Sequence, residues 1–254
     1  MGRALVELGQ SEPGIELYGG FDHPEAAICG TDLGLAAGVA ALGMPIHRSI
    51  EDLGDGFDVL IDFTLPESTL ANVRHCQSLG KRMVIGTTGL GERRAVIDAA
   101  GAEIAIMFAP NMSVGVNLCF KLAELAAQAL GDDFDVEIIE AHHRNKVDAP
   151  SGTAVRLGEI VAAALDRDLA ATAVYGREGH TGVRDRKTIG FETIRAGDIV
   201  GDHTVLFAGA GERIEITHRA SSRMTFAGGA LRAAGWIMRH EHGVYDMQDV
   251  LGLR

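Results

Sequence analysis

Three short apolar runs stand out in the first two-fifths of the chain: Asp58–Phe63, Arg82–Ile85 and Glu103–Phe108, with a fourth strand-like stretch at Ile15–Phe21. Between them, Glu67–Leu79 and Glu92–Ala100 carry helical spacing; Leu70, Val73 and Cys76 follow an i, i+3, i+6 track. Strands that are apolar throughout are buried on both faces, as in a parallel sheet covered by helices. Alternation of such strands with helices predicts an α/β, doubly wound domain.

From Ser113 the texture changes. Leu118–Leu130 predicts a helix with Leu118, Leu122 and Leu125 along one face. Asp135–Ala141 reads as a strand, and Ser151–Leu165 as a helix with Ser151 at its N-cap. Strand-like segments follow at Thr188–Arg195, His203–Phe207 and Arg213–Arg219. In the last, Ile214 and Ile216 alternate with Arg213, Glu215 and Thr217, which predicts a sheet with one wetter face. Met224–His240 closes the pattern as a helix. This half therefore reads as an α+β domain with an open mixed sheet, a surface suited to self-association.

Composition narrows the class. Of 254 residues, 46% are hydrophobic and 23% charged, and no run reaches the ~18 apolar residues of a membrane helix. Lys and Arg total 23 against 35 Asp and Glu, a net charge of −12, which argues against nucleic acid as a partner. Cys29, Cys76 and Cys119 are sparse and odd in number, which suits a reducing, cytoplasmic setting. No metal-ligand set is present, since His240-Glu-His242 lacks the i, i+4 spacing of a helical metal pair.

The densest chemistry lies in Glu140–Ala154, which leaves a strand, crosses a loop and enters a helix. His142, His143, Arg144 and Lys146 place several potential cations within five residues of an acidic protein. Pro150-Ser-Gly-Thr153 then opens a helix whose first N–H groups and positive dipole end suit a carboxylate or phosphate. A histidine can transfer protons near neutrality, and Lys146 is a second candidate donor. Gly86-Thr-Thr-Gly89 and Ala109-Pro-Asn-Met112 each follow a strand, where ligands bind in open α/β sheets. Asp22 follows the Ile15–Phe21 stretch, either as a turn acid or as the acid that dinucleotide folds aim at a ribose.

The stretch Glu137–Ala154 resembles the signature of the 4-hydroxy-tetrahydrodipicolinate (dihydrodipicolinate) reductase family. Phe57–Thr64, Val84–Gly89, Ser113–Asn117, Gly176–Gly182, Arg195–Gly201 and Ala220–Phe226 resemble that family in order and spacing. The resemblance implies a Rossmann-like dinucleotide domain, residues 1–112 and 224–254. It implies a substrate-binding and oligomerisation domain at 113–223.

It further implies reduction of a small cyclic dicarboxylate with NADH or NADPH, in lysine and diaminopimelate synthesis, by a cytoplasmic homotetramer with no nucleic-acid or membrane partner. His142 matches the family's acid/base histidine and Lys146 its lysine donor; both are expected as fixed cations. His143, Ser151, Gly152, Thr153 and Arg223 match positions that hold substrate carboxylates. Gly86, Thr87, Thr88 and Ala109, Pro110, Asn111, Met112 match cofactor loops, and Asp22 the ribose acid. His23 stands where some relatives carry an arginine that clamps a 2′-phosphate. A histidine is the weaker clamp, so both cofactors are expected, with NADH preferred.

The family's first strand and glycine-rich turn would lie ahead of Met1-Gly2-Arg3, roughly 10–15 residues by the usual size of those parts. Either an internal Met has been taken as the start, or cofactor binding is impaired. The second case gives the competing expectation, an oligomeric dicarboxylate-binding remnant that cannot hold the dinucleotide.

Overall fold

The computed structural model describes residues 1–254. In chain order the first elements are α1 (Gly2–Gly9), β1 (Gly20–Phe21), α2 (Leu33–Ala37), β2 (Ile46–His47), β3 (Val59–Asp62), α3 (Pro66–Leu79), β4 (Arg82–Ile85), α4 (Arg94–Ala100), β5 (Ala105–Phe108) and α5 (Val114–Leu130). Then come β6 (Asp135–His142), α6 (Gly152–Ala164), α7 (Leu169–Thr172), β7 (Ala173–Tyr175), β8 (Ile189–Arg195), β9 (Gly201–Ala208) and β10 (Arg213–Ala220). The chain closes with α8 (Met224–Ile237), β11 (Gly243–Tyr245) and α9 (Met247–Leu251). Two compact units result: Met1–Val114 with Arg223–Arg254, and Gly115–Ser222. No helix is long and apolar enough to cross a membrane.

The first unit is built on a parallel sheet of order β11-β5-β4-β3. Successive side chains of a strand point to opposite faces, and both faces here are apolar. Met83, Ile85 and Ile106 pack with Val73 and Cys76 of α3 and Ile97 of α4. Val84, Ala105 and Met107 pack with Ala230, Ala233 and Ile237 of α8 and with Met247 and Val250 of α9. Burial on two sides is why these strands read as unbroken apolar runs. Pro66 sits in the first turn of α3, where its missing N–H costs nothing, and Gly80 ends the helix in the left-handed region.

The strand expected over Ile15–Phe21 shrinks to Gly20–Phe21. It pairs only with β2, in a separate two-stranded parallel ladder, Gly20 opposite Ile46 and Phe21 opposite His47. With a neighbour on one side for two residues, Ile15–Gly19 has no ladder to join.

The second unit is a five-stranded mixed sheet of order β10-β9-β6-β8-β7. Its centre is β6, antiparallel to β9 and parallel to β8. One face carries Val136, Ile138, Ile189, Phe191, Val205 and Phe207 against α5 and α6. The other face holds polar pairs, among them Glu137 receiving both Arg177 and Arg184. The leucine stripe of α5 points outward: Leu118, Leu122 and Leu125 are 42–49% exposed. Val116, Phe120, Ala123 and Ala127 take the core side instead, where the alanines let the helix lie close to the sheet. The alternation expected on the Arg213–Arg219 strand is weak, because β10 is an edge strand and Ile214 is itself exposed.

Candidate active site

Glu140 and His142 occupy alternate positions of β6 and so share its inward face. Both are buried, Glu140 to 1% exposure and His142 to 8%. The Nδ1 of His142 lies 2.6 Å from Glu140 Oε2. Arg195, at the end of β8, grips the same carboxylate with both terminal nitrogens at 2.8 Å, a fork geometry that a lysine could not supply. The Ser151 N–H donates to Glu140 Oε1 at 3.0 Å. One carboxylate thus ties the strand end, its neighbour strand and the first residue of the helix entrance together.

Burial alone would raise the Glu140 carboxyl, but the hydrogen bonds from Arg195, His142 and the Ser151 N–H outweigh it and hold it below the usual carboxylate range. Glu140 is therefore an anion. Burial lowers His142, and the bond and charge of Glu140 oppose that without cancelling it. The free imidazole is neutral near pH 7, with its Nδ1–H on Glu140 and a lone pair on Nε2. That corrects the expectation of a fixed cation: the desolvation of a buried ring exceeds the attraction of one already paired carboxylate. A side chain at Gly201 would place its Cβ 3.1 Å from that Nε2, so the glycine leaves the reactive nitrogen uncrowded.

Lys146 is half-buried and donates to Asp148 Oδ1 at 2.7 Å. Its nearest charge is thus a carboxylate, two residues on, rather than a fellow cation. The loop is also stitched down by its backbone: Ala196 N–H donates to the His142 carbonyl and Arg144 N–H to that of Gly197. His143 is half-buried with its Nδ1 unpartnered. Ser151 caps α6, its Oγ accepting the Ala154 N–H at 3.2 Å; Gly152 is exposed and Thr153 half-buried in the first turn. His142, His143, Lys146, Ser151, Gly152 and Thr153 are brought together. Arg223 is not part of this unit; it stands at the N-cap of α8 in the first.

In the first unit, the other candidate residues collect at the carboxyl ends of parallel strands: Asp22 after β1, Gly86–Thr88 after β4, and Ala109–Met112 after β5. Gly86 passes so close to the Phe63 ring that any Cβ would collide with it. Thr87 is buried, receives the Thr69 hydroxyl at 2.8 Å and donates to Asp62 Oδ1 at 3.3 Å. Asp62 also accepts the Thr64 N–H, the Thr64 hydroxyl and the Asn72 amide. Thr88 is exposed on the far side of this anchored turn. Ala109 N–H donates to the Ile85 carbonyl, and Asn111 Oδ1 accepts the Ser113 N–H, which shapes the second loop; Pro110 is exposed and Met112 buried. Asp22 and His23 are exposed, with the His23 N–H on Asp22 Oδ1 and the Glu25 N–H on His23 Nδ1. Backbone turns, a free hydroxyl and an exposed acid at strand ends fit a dinucleotide.

Sequence reasoning missed Glu140, Arg195, His203 and Asp62. Glu140 and Asp62 were legible as acids inside apolar strands. His203 was legible as a polar side chain at an inward position of an alternating strand.

One unit with a doubly covered parallel sheet and ligand-ready strand ends, and another with a mixed sheet carrying a buried Glu–His pair at a helix entrance, define a two-unit α/β oxidoreductase. The models of the dihydrodipicolinate reductase N-terminus and C-terminus match residues 1–112 and 115–251. The chain belongs to the dihydrodipicolinate reductase family. It is 62% identical to the 4-hydroxy-tetrahydrodipicolinate reductase of Alkalilimnicola ehrlichii and 58% identical to that of Methylococcus capsulatus, covering 100% of this chain and 95% of each relative. Among solved structures it is similar to dipicolinate-bound dihydrodipicolinate reductase from Paenisporosarcina sp. TG-14. The TM-score is 0.74 at 25% identity, over 98% of this chain and 94% of that one.

Proposed function

We infer that this chain reduces 4-hydroxy-tetrahydrodipicolinate to tetrahydrodipicolinate with NADH or NADPH, in the synthesis of diaminopimelate and lysine. The observation that carries the reading is the Glu140 carboxylate shared by His142 Nδ1 and the Ser151 N–H. It makes the proton-handling group and the anion-receiving helix entrance one rigid assembly. Family membership over the whole chain favours this reading over that of a catalytically impaired remnant.

When bound, the nicotinamide would supply a hydride to a ring carbon of the substrate; one proton is taken up with it, and the substrate's 4-hydroxyl group leaves as water. The chain's own work is positioning and charge. Ser151, Gly152 and Thr153, at the N-terminus of α6, receive a substrate carboxylate, with His143 as a further contact. The arriving dianion favours protonation of the neutral His142 at Nε2, because an added negative charge stabilises the imidazolium. Glu140 then holds that imidazolium through Nδ1. Lys146, kept in place by Asp148, is the second proton donor. Asp22, with His23 next to it in sequence, would hold the adenosine ribose, and Gly86, Thr87, Thr88 and Ala109–Met112 would hold the nicotinamide. The exposed acid favours NADH over NADPH. The open face of the five-stranded sheet assembles the chain into a homotetramer, working in the cytoplasm, and neither nucleic acid nor membrane has a role.

Transfer of label tests the reaction: deuterium on the nicotinamide C4 should appear on the product's ring. Its absence from product, with cofactor unconsumed, would contradict the assignment.

A further inference from the structure

β9 alternates buried and half-buried positions, and His203 shares its inward face with Val205 and Phe207. It is 6% exposed. Its Nε2 lies 2.9 Å from Ser151 Oγ. Its ring meets the His142 ring edge-on, centroids 5.1 Å apart. Its Nδ1 is buried with no hydrogen-bond partner.

That unpartnered nitrogen decides the tautomer. Burial, then the neighbouring His142, push the His203 pKa down to about 4, so near neutrality the ring carries one proton. Orphaned buried N–H groups are rarer and costlier than under-used acceptors. The proton therefore sits on Nε2, and a lone pair is all that goes unmet at Nδ1. Ser151 Oγ already accepts the Ala154 N–H. With His203 Nε2–H as a second donor, both acceptor sites of the hydroxyl are filled, and its one remaining capacity is to donate.

We propose that His203 is a positioning residue that makes the Ser151 hydroxyl an obligate hydrogen-bond donor to a substrate carboxylate. This deepens the function proposed above and rests on it. A serine at a helix N-cap is otherwise free to turn its hydroxyl either way. The fixed donor would meet an anion with no reorganisation, and would resist a neutral ligand that offers only donors at that point. The contact with the His142 ring also walls the proton-handling group on the side of β9.

The tautomer is read directly from the ¹⁵N spectrum of histidine-labelled protein: the expected state has the His203 proton on Nε2, and a proton on Nδ1 overturns the proposal. Its consequence is read by calorimetric titration of pyridine-2,6-dicarboxylate into the whole chain and its variants. Ser151→Ala and His203→Leu should each weaken binding about tenfold, the usual effect of losing one such bond. The double variant should lose no more than the worse single one. His203→Gln sets an amide N–H near the place of Nε2 and should stay within about threefold of wild type. NADH affinity should be unchanged throughout, whereas a merely structural role would move it too. Additive losses, or a His203→Leu variant that binds normally, overturn the role of His203 while leaving the reductase reading intact. A wild-type chain that does not bind the dicarboxylate overturns both. Should His203→Leu fail to fold, His203→Gln and the ¹⁵N spectrum still decide.

Discussion

Glu140 Oε2 and His142 Nδ1 face each other at 2.6 Å from alternate positions of one strand. Two residues along a strand return the side chain to the same face, so the pair is set by the backbone and needs no loop to hold it. Arg195 and the Ser151 N–H complete the carboxylate's partners, and the imidazole has one orientation available.

Glu140→Gln should be costly in two separable ways. It removes one member of a buried pair and leaves Arg195 without its counter-charge, which destabilises by about 3–5 kcal/mol where such pairs are fully buried. It also withdraws the group that favours charged His142. The His142-dependent limb of the pH–kcat/KM profile should move to lower pH. A melting curve and a pH–rate profile check this; an unmoved limb would show that Glu140 does not act through His142.

His142→Gln and Lys146→Ala should each lower kcat, by about 10²–10⁴ for loss of a general acid. Thr153→Ala should act mainly on KM, because a carboxylate contact is made in ground and transition states alike. Steady-state kinetics separate the two patterns. A near-normal kcat in His142→Gln would remove it from the proton path.

Folding should weaken in mild acid through His203. Its pKa is about 4 in the fold against 6.5 for the free side chain, so the unfolded chain binds the proton first. The stabilisation is fully present above pH 6.5 and is lost as pH falls toward 4, a change of roughly 3 kcal/mol for a shift of this size. His142, also lowered, adds in the same direction; Glu140, His218 and Lys146 are the other charged neighbours acting on the His203 ring. Melting temperatures across this window should fall less steeply in His203→Gln. Equal slopes would mean that His203 is not the sensitive group.

Asp62→Ala should loosen the turn at Thr87. The carboxylate gathers exposed Thr64 with buried Asn72 and Thr87, and the variant leaves the two buried donors unmet at about 1–3 kcal/mol each. NADH affinity should drop by about tenfold or more, while pyridine-2,6-dicarboxylate binding stays as it was. Parallel loss of both affinities would mean general unfolding rather than a displaced loop.

The sheet of the first unit was plain in the sequence because β4 and β5 are covered on both faces and read as unbroken apolar runs. The short β11 and α9 left no such trace, being three and five residues long. Periodicity found α5 but could not orient it. Its leucine stripe and its Val116–Phe120–Ala123–Ala127 stripe are both apolar, and close approach to the sheet, not hydrophobicity, chose between them. The cationic loop from His142 to Thr153 was legible because its parts are contiguous. Arg195 and His203 were not, since they meet Glu140 and Ser151 across 55 and 52 residues of chain. Local spacing cannot report a pairing set by strand order, in which β8 and β9 flank β6.

The central claim is that the assembly around Glu140 and His142 serves NAD(P)H-dependent reduction of a cyclic dicarboxylate. Its most direct test is NADH oxidation by the purified chain, with and without 4-hydroxy-tetrahydrodipicolinate, in wild type and His142→Gln side by side. The account predicts oxidation that requires the substrate and falls by about 10² or more in the variant. Substrate-independent oxidation, none at all in wild type, or an undiminished rate in His142→Gln would contradict it.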